Sequence, residues 1–184
     1  MIRAMVWLIG VVVVAGIVHI VTVFGVPHHA VRDPWNEIAA IGPTGRFVIL
    51  PREGRDLRKP PAGLDPTMAA AACRFDLDGG PIRLKASAPD VYWSLSLYDR
   101  RGLSVWSLDN RASGGRGLDV LVASDVHVAQ LRENPPEELE DIVIVDWKGR
   151  EGIALLQIFA QQGSLLPEIA AALGAAECKA SPLS

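Results

Sequence analysis

The chain has 184 residues, with 18 Lys and Arg against 21 Asp and Glu, for a net charge of −3. No stretch carries the clustered excess of positive charge that a nucleic-acid surface requires. Two cysteines with no CxxC spacing and no histidine near either argue against zinc and redox motifs.

From Ala4 to Val26 the chain has no charged side chain. At about 1.5 Å per helical residue this run reaches roughly 34 Å, enough to cross the hydrocarbon core of a bilayer. Trp7 and the pair His28 and His29 suit the two interfacial zones, and His19 is an imidazole within the span. A cleavable signal would have a shorter apolar core and a small-residue cleavage site, and Phe24 to His29 has no Ala-x-Ala pattern. The expected arrangement is a retained single-span anchor over residues 4–26. Arg3 and the α-amino group precede the span, and only Arg32, beside Asp33, follows closely. That asymmetry favours a cytoplasmic N-terminus, with the domain outside the cytoplasm.

Residues 27–66 read as a juxtamembrane helix, a first strand and a Pro-rich loop. Asp33 is placed to cap a helix with Pro34 at its first position, followed by Trp35, Ile38 and Ile41, and Gly42-Pro43 stops it. Arg46–Leu50 is a strand candidate, and Pro51–Pro66, with four prolines and Arg52, Arg55, Arg58 and Lys59, is a surface loop.

Residues 67–184 hold the main part of a β-rich domain. Cys73–Leu77 and Ile82–Ala86 flank the turn signal Asp78-Gly79-Gly80-Pro81. Val91–Asp99 alternates, with Val91, Trp93, Leu95 and Leu97 on one face and Tyr92, Ser94, Ser96 and Tyr98 on the other. Arg100-Arg101-Gly102 turns the chain into Leu103–Leu108, and Leu118–Ala123 follows a Gly-rich loop. Ser124 can cap a helix reaching about Glu133, with Val128 and Leu131 inward and Asn134-Pro135-Pro136 ending it. Ile142–Trp147 and Ile153–Ala160 are expected as a last pair of strands, before a helix near Leu165–Ala176 striped by Leu165, Ile169, Ala172, Leu173 and Ala176. Short strands with few helices define a mainly β (α+β) fold, an antiparallel β-sandwich-like domain behind one transmembrane helix.

No catalytic template is satisfied: there is no GxSxG, HExxH, P-loop or GxGxxG. Ser113-Gly114-Gly115-Arg116-Gly117 can expose backbone N–H groups to an anion, although such turns between strands are common. The most suggestive surface is Tyr92, Tyr98 and Asp99 with Trp106, Asn110 and Arg111 across the hairpin. Aromatics beside amide, carboxylate and guanidinium groups can hold a polar ligand such as a sugar or head group. The same residues also fit a half-wet sheet face with Asp99 and Asn110 shaping turns. Asp99 and Asp109 offer a carboxylate pair whose separation the sequence does not fix. No metal or cofactor is expected. Cys73 and Cys178 are either two buried thiols or, in an oxidising compartment, a disulfide closing a loop of about 100 residues, worth up to roughly 4–5 kcal/mol.

The run Cys73–Arg111, CRFDLDGGPIRLKASAPDVYWSLSLYDRRGLSVWSLDNR, resembles the core of the DUF1254 family. That core has a "DL…GP" strand pair, then an aromatic "Y-[YW]-S-L-x-L-x-D" strand and a glycine turn. The "WSL-x-L-Y-D…G…N" motif of the companion family DUF1214 is echoed by Trp93, Ser94, Leu95, Tyr98, Asp99, Gly102 and Asn110. The layout is similar to short, single-span bacterial members. The resemblance implies a β-rich envelope domain working beside a DUF1214-like protein; with the orientation read from the charges, the expected location is the bacterial inner membrane with the domain in the periplasm. It brings no catalytic residues. The expected function is a protein-interaction or assembly module. A binding module for an envelope glycan or lipid head group is the alternative, and an enzyme on a polar envelope substrate ranks below both.

Overall fold

The structure is a computed structural model that describes residues 2–29, 34–52, 60–61, 63–87, 89–115, 117–133, 142–161 and 163–181. Asp33, Arg55, Arg58, Lys59, Arg116 and Asn134-Pro135-Pro136, with the readings that fall on them, lie outside those residues.

The chain divides into two units, residues 1–32 and 33–184. The first is α1 (Ile2–His29), whose apolar part, Ile2–Gly25, is long enough to cross a membrane. The helix runs three residues beyond the expected end at Val26. Within it Thr22 donates its hydroxyl to the Val18 carbonyl at 2.8 Å, which satisfies a polar group that lipid would leave unpaired.

The second unit is a two-layer β domain, α+β with β predominating. Its described residues form α2 (Pro34–Ala39), β1 (Val48–Ile49), β2 (Met68–Asp76), β3 (Ile82–Ala86), β4 (Trp93–Asp99), β5 (Ser104–Asp109), β6 (Leu118–Ser124), α3 (Asp125–Glu133), β7 (Val143–Trp147), β8 (Glu151–Phe159), α4 (Leu166–Ala175) and β9 (Glu177–Ala180). One sheet has the order β1-β2-β8-β4-β5, the other β7-β6-β3-β9. All pairings are antiparallel except β6 with β7, so the second sheet is mixed where a wholly antiparallel one was expected. The connection through α3 explains it, because a strand that returns by a helical crossover arrives parallel.

Period-two alternation builds the core between the layers. Ala71, Cys73 and Phe75 of β2, Leu95 and Leu97 of β4, and Ala154, Leu156 and Ile158 of β8 face Leu84, Val120 and Val122 of the other sheet, all fully buried. Helix α4 bridges the layers, packing on β1 and β2 of one and β3 of the other through Ile169 and Leu173, one turn apart. Helix α3 buries Val128 and Leu131 as its spacing predicts. Ser124 does not cap it in the usual way, since its Oγ lies 2.9 Å from Nδ1 of the His127 side chain.

Two strand pairs that look like hairpins in the sequence are crossings between layers. β2 and β3 flank the Asp-Gly-Gly-Pro turn but lie in different sheets, and so do β7 and β8. The crossings brace each other. Leu77 N–H donates to the Arg150 carbonyl at 2.9 Å, and the Arg150 guanidinium reaches Asp76 at 2.9 Å and Asp78 at 2.8 Å. Hydrogen bonding from Arg150, then from the Asp78 backbone N–H, holds the Asp76 carboxyl below its ordinary pKa. β9 was not anticipated. Its residues pair with β3, and Cys178 is joined there to Cys73 of β2, with S–S 2.05 Å and Cα–Cα 6.6 Å. The bond therefore ties one sheet to the other across the core.

Candidate functional site

The larger sheet has an inner face on the core and an outer face that is only half covered. Over β2 and β8, α2 lays Trp35 and Ile38 on Leu50, Ala70, Ala72 and Ile153, with Leu64 and Tyr98 at the margin. Alanines on that face leave room for the helix to approach closely. Trp35 takes cation–π contacts from two guanidinium groups, with Arg74 Cζ 5.0 Å and Arg100 Cζ 5.5 Å from its ring centroid. Arg74 also donates to the Gly42 carbonyl at 3.1 Å, and Arg100 pairs with Glu151 at 2.8 Å. Thus α2 is part of the domain.

Among the described residues no helix covers the rest of the outer face. Register places Asp109 beside Ser94 and Ser94 beside Gln157, while the next row runs Ser107, Ser96, Leu155. Ser107 is exposed, and Ser94, Ser96, Asp109 and Gln157 are half-buried. Short hydroxyl side chains make this a flat, hydrogen-bonding strip, and it ends at β5, which among the described residues is an edge strand with one backbone side unpaired.

The six residues singled out in the sequence do not converge. Tyr98 faces outward and packs beside α2, whereas Trp106, opposite Leu97, points to the inner core. A register shift between Leu97 and Tyr98 separates the two aromatics further along the hairpin. Tyr92 is exposed just before β4, and its carbonyl accepts from Phe159 N–H at 2.8 Å.

Asp99, Asn110 and Arg111 belong to turns. Asp99 Oδ1 accepts from the backbone N–H of Arg101 and of Leu103, both at 2.9 Å, and Asp109 Oδ1 accepts from Arg111 at 3.1 Å and Ala112 at 2.8 Å. Gly102, at φ +85°, completes the first turn, and a Cβ placed on it would lie 2.9 Å from Pro34 Cγ. Asn110 Nδ2 donates to the Val91 carbonyl at 3.4 Å, and its own carbonyl accepts from Ser113 Oγ at 3.0 Å. The Asp, Gly and Asn of the motif thus shape the backbone. In both aspartates one carboxylate oxygen, Oδ1, is committed to two backbone N–H groups of its turn.

A cleft lined by Leu50, Pro51, Arg52, Pro60, Leu64, Asp65 and Met68 has a volume of about 30 Å³, enough for a water or two, where ligand pockets begin near about 300 Å³. Thr67 donates from both its side chain and its backbone to Asp65 there, lowering the carboxyl pKa. Among the described residues no group of three or more His, Cys, Asp or Glu can hold a metal ion. The strip residues Ser107, Asp109 and Gln157 were not singled out from the sequence, because which strands are neighbours decides that they share a face.

Together these features define a two-layer β domain behind an apolar N-terminal helix, with signature residues that build turns. The chain belongs to the DUF1254 family, described as a protein of unknown function, which matches residues 44–179. No curated protein matches the chain. Among solved structures it is similar to the VPA0106 protein of Vibrio parahaemolyticus, at 12% identity and a TM-score of 0.58, covering 78% of this chain and 32% of that one. A putative uncharacterized protein from Burkholderia cenocepacia is similar at 16% identity and a TM-score of 0.41, covering 62% of this chain and 32% of that one. The chain therefore spans about a third of the length of either.

Proposed function

We propose that this protein is a single-pass bacterial inner-membrane protein whose domain faces the periplasm and acts as a protein-interaction module in envelope assembly or maintenance. Its partner on this reading is a DUF1214-like protein, bound on the strip Ser94, Ser96, Ser107, Asp109 and Gln157 beside the β5 edge. The half-covered outer face of the larger sheet carries the proposal. One half is covered by α2, and the other presents flat, hydrogen-bonding surface next to a strand that is unpaired on one side among the described residues, the geometry that strand addition and sheet-on-sheet docking use. Support comes from the Vibrio parahaemolyticus protein, in which the similar fold is accompanied by about twice as much further polypeptide. A cleft of about 30 Å³ and carboxylates engaged in turns give no comparable support to ligand binding or catalysis.

The test is in-cell photocrosslinking from position 107, with position 85 on the outer face of the smaller sheet as control. An adduct from 107 alone, identified by mass spectrometry as a DUF1214-family protein, is the expected result. No adduct from 107, or equal adducts from both positions, overturns the assignment.

A further inference from the structure

From Ile2 to Phe24 every residue of α1 is exposed on the helix surface, so in a membrane each meets either lipid or another helix. Between Ala4 and Gly25 only Trp7, His19 and Thr22 carry a side-chain N–H or O–H. Trp7 lies near the helix start, where an indole suits the interface. Thr22 is satisfied by the Val18 carbonyl. Among the described residues His19 has no hydrogen-bond partner.

Depth makes that vacancy costly. The 24 apolar residues of Ile2–Gly25 reach about 36 Å against a hydrocarbon core of about 30 Å. With the run centred, His19 sits about 6 Å inside the boundary nearer to Gly25. Helical side chains lean toward the helix N-terminus, which for His19 is toward the bilayer centre. The ring therefore does not reach the nearer headgroups as a long lysine or arginine does by snorkelling. An ionisable group held in hydrocarbon needs a partner there.

The helix leaves room for one. The His19 ring leans over Ala15 and Gly16, four and three residues earlier, whose small size lets another backbone approach. The opposite face carries the bulky Ile17, Val21 and Phe24. Among the described residues α1 is the one helix long and apolar enough to span, so the partner helix belongs to another molecule. A second copy meets the requirement without further assumption. Inserted in the same direction, it carries His19 to the same depth. A neutral imidazole donates from one nitrogen and accepts at the other, so it is complementary to its own copy.

We infer that α1 pairs in parallel with α1 of a second copy across the Ala15/Gly16 face, with His19 hydrogen-bonded to its counterpart. The inference rests on α1 spanning the membrane and uses no part of the sheet surface proposed for the DUF1214-like protein.

It is tested on the full-length protein in phosphatidylcholine vesicles. Donor or acceptor fluorophores are attached at Val126→Cys, which is 62% exposed on α3. The native cysteines are buried and joined to each other, so they do not compete for the label. Flotation reports the span, and energy transfer across a series of lipid dilutions reports pairing. The expected result is transfer that falls on dilution, with His19→Leu weakening association by about 3- to 20-fold. His19→Asn, whose amide keeps a donor and an acceptor, should pair nearly as the parent does. Oxidation with iodine should crosslink Ala15→Cys and not Ile17→Cys. Flotation without transfer, transfer unchanged by His19→Leu, or equal crosslinking at 15 and 17 overturns the inference and leaves the span standing. Failure to float overturns both.

Discussion

Asp99 makes the sharpest prediction about how this domain is built. Its Oδ1 atom accepts two backbone N–H groups at 2.9 Å, and the same turn is closed by Asp99 N–H to the Leu103 carbonyl and Gly102 N–H to the Asp99 carbonyl, each at 2.9 Å. Substitution by alanine removes both side-chain bonds at a site where water can replace the acceptor. The expected cost is therefore about 2 kcal/mol rather than the larger penalty of a buried orphan. For a domain of this size that corresponds to a fall in Tm of about 4–8 °C. Asp99→Asn keeps an oxygen acceptor and should lose about half as much. Gly102→Ala should cost about 1–3 kcal/mol by a separate route, the positive φ and the contact with Pro34. Thermal unfolding of the full-length protein in detergent, followed by near-ultraviolet circular dichroism, reads all three. An Asp99→Ala protein that melts with the parent but loses its crosslink from position 107 would make Asp99 a contact residue and refute the turn assignment.

Three further perturbations follow from the packing. A Cβ on Gly152 would meet Phe75 Cζ and lie 2.6 Å from Trp147 Cζ2, in a buried edge-to-face ring pair 5.3 Å apart. Gly152→Ala should therefore lower stability by about 1–3 kcal/mol, seen as a lower urea midpoint. Replacing Cys73 and Cys178 by serine releases a link spanning 105 positions, for which loop entropy sets a ceiling near about 4.7 kcal/mol. About 2–4 kcal/mol is expected in denaturant, and reductant should then have no further effect on the variant. The lowered pKa of Asp76 means that its ionised form stabilises the fold above the unfolded carboxyl value and that this contribution fades as pH falls through the folded one. The Asp76→Asn variant should be less stable than the parent at neutral pH, and the gap should close in acid. A gap independent of pH would show that the pair with Arg150 contributes nothing.

Element type was legible where side-chain periodicity was strong. Val91–Asp99, the helix of Val128 and Leu131, and the stripe of Ile169 and Leu173 all follow from one dominant period. Partner choice was not legible, because a turn signal such as Asp78-Gly79-Gly80-Pro81 is the same whether the chain folds back on its own sheet or crosses to the other. The four residues of β9 were too few to show a period, and they are strand only because β3 offers an edge. The candidate site was legible in part. Alternation put Tyr98 and Ser96 on one face, but the shift at Leu97/Tyr98 and the pairing of Trp106 with Leu97 sent Trp106 to the core. The open strip needs β5, β4 and β8 as neighbours, a long-range arrangement that local pattern does not encode.

The central claim, an anchored and exported domain tied by Cys73 and Cys178, is tested most directly in intact cells. Thiol labelling of both cysteines with and without prior reduction and unfolding would be read beside protease cleavage of the domain from the periplasmic side. The account predicts no labelling until the bond is reduced, with cleavage from outside the inner membrane. Free thiols in a domain protected from that side would contradict both the orientation and the envelope function proposed from it.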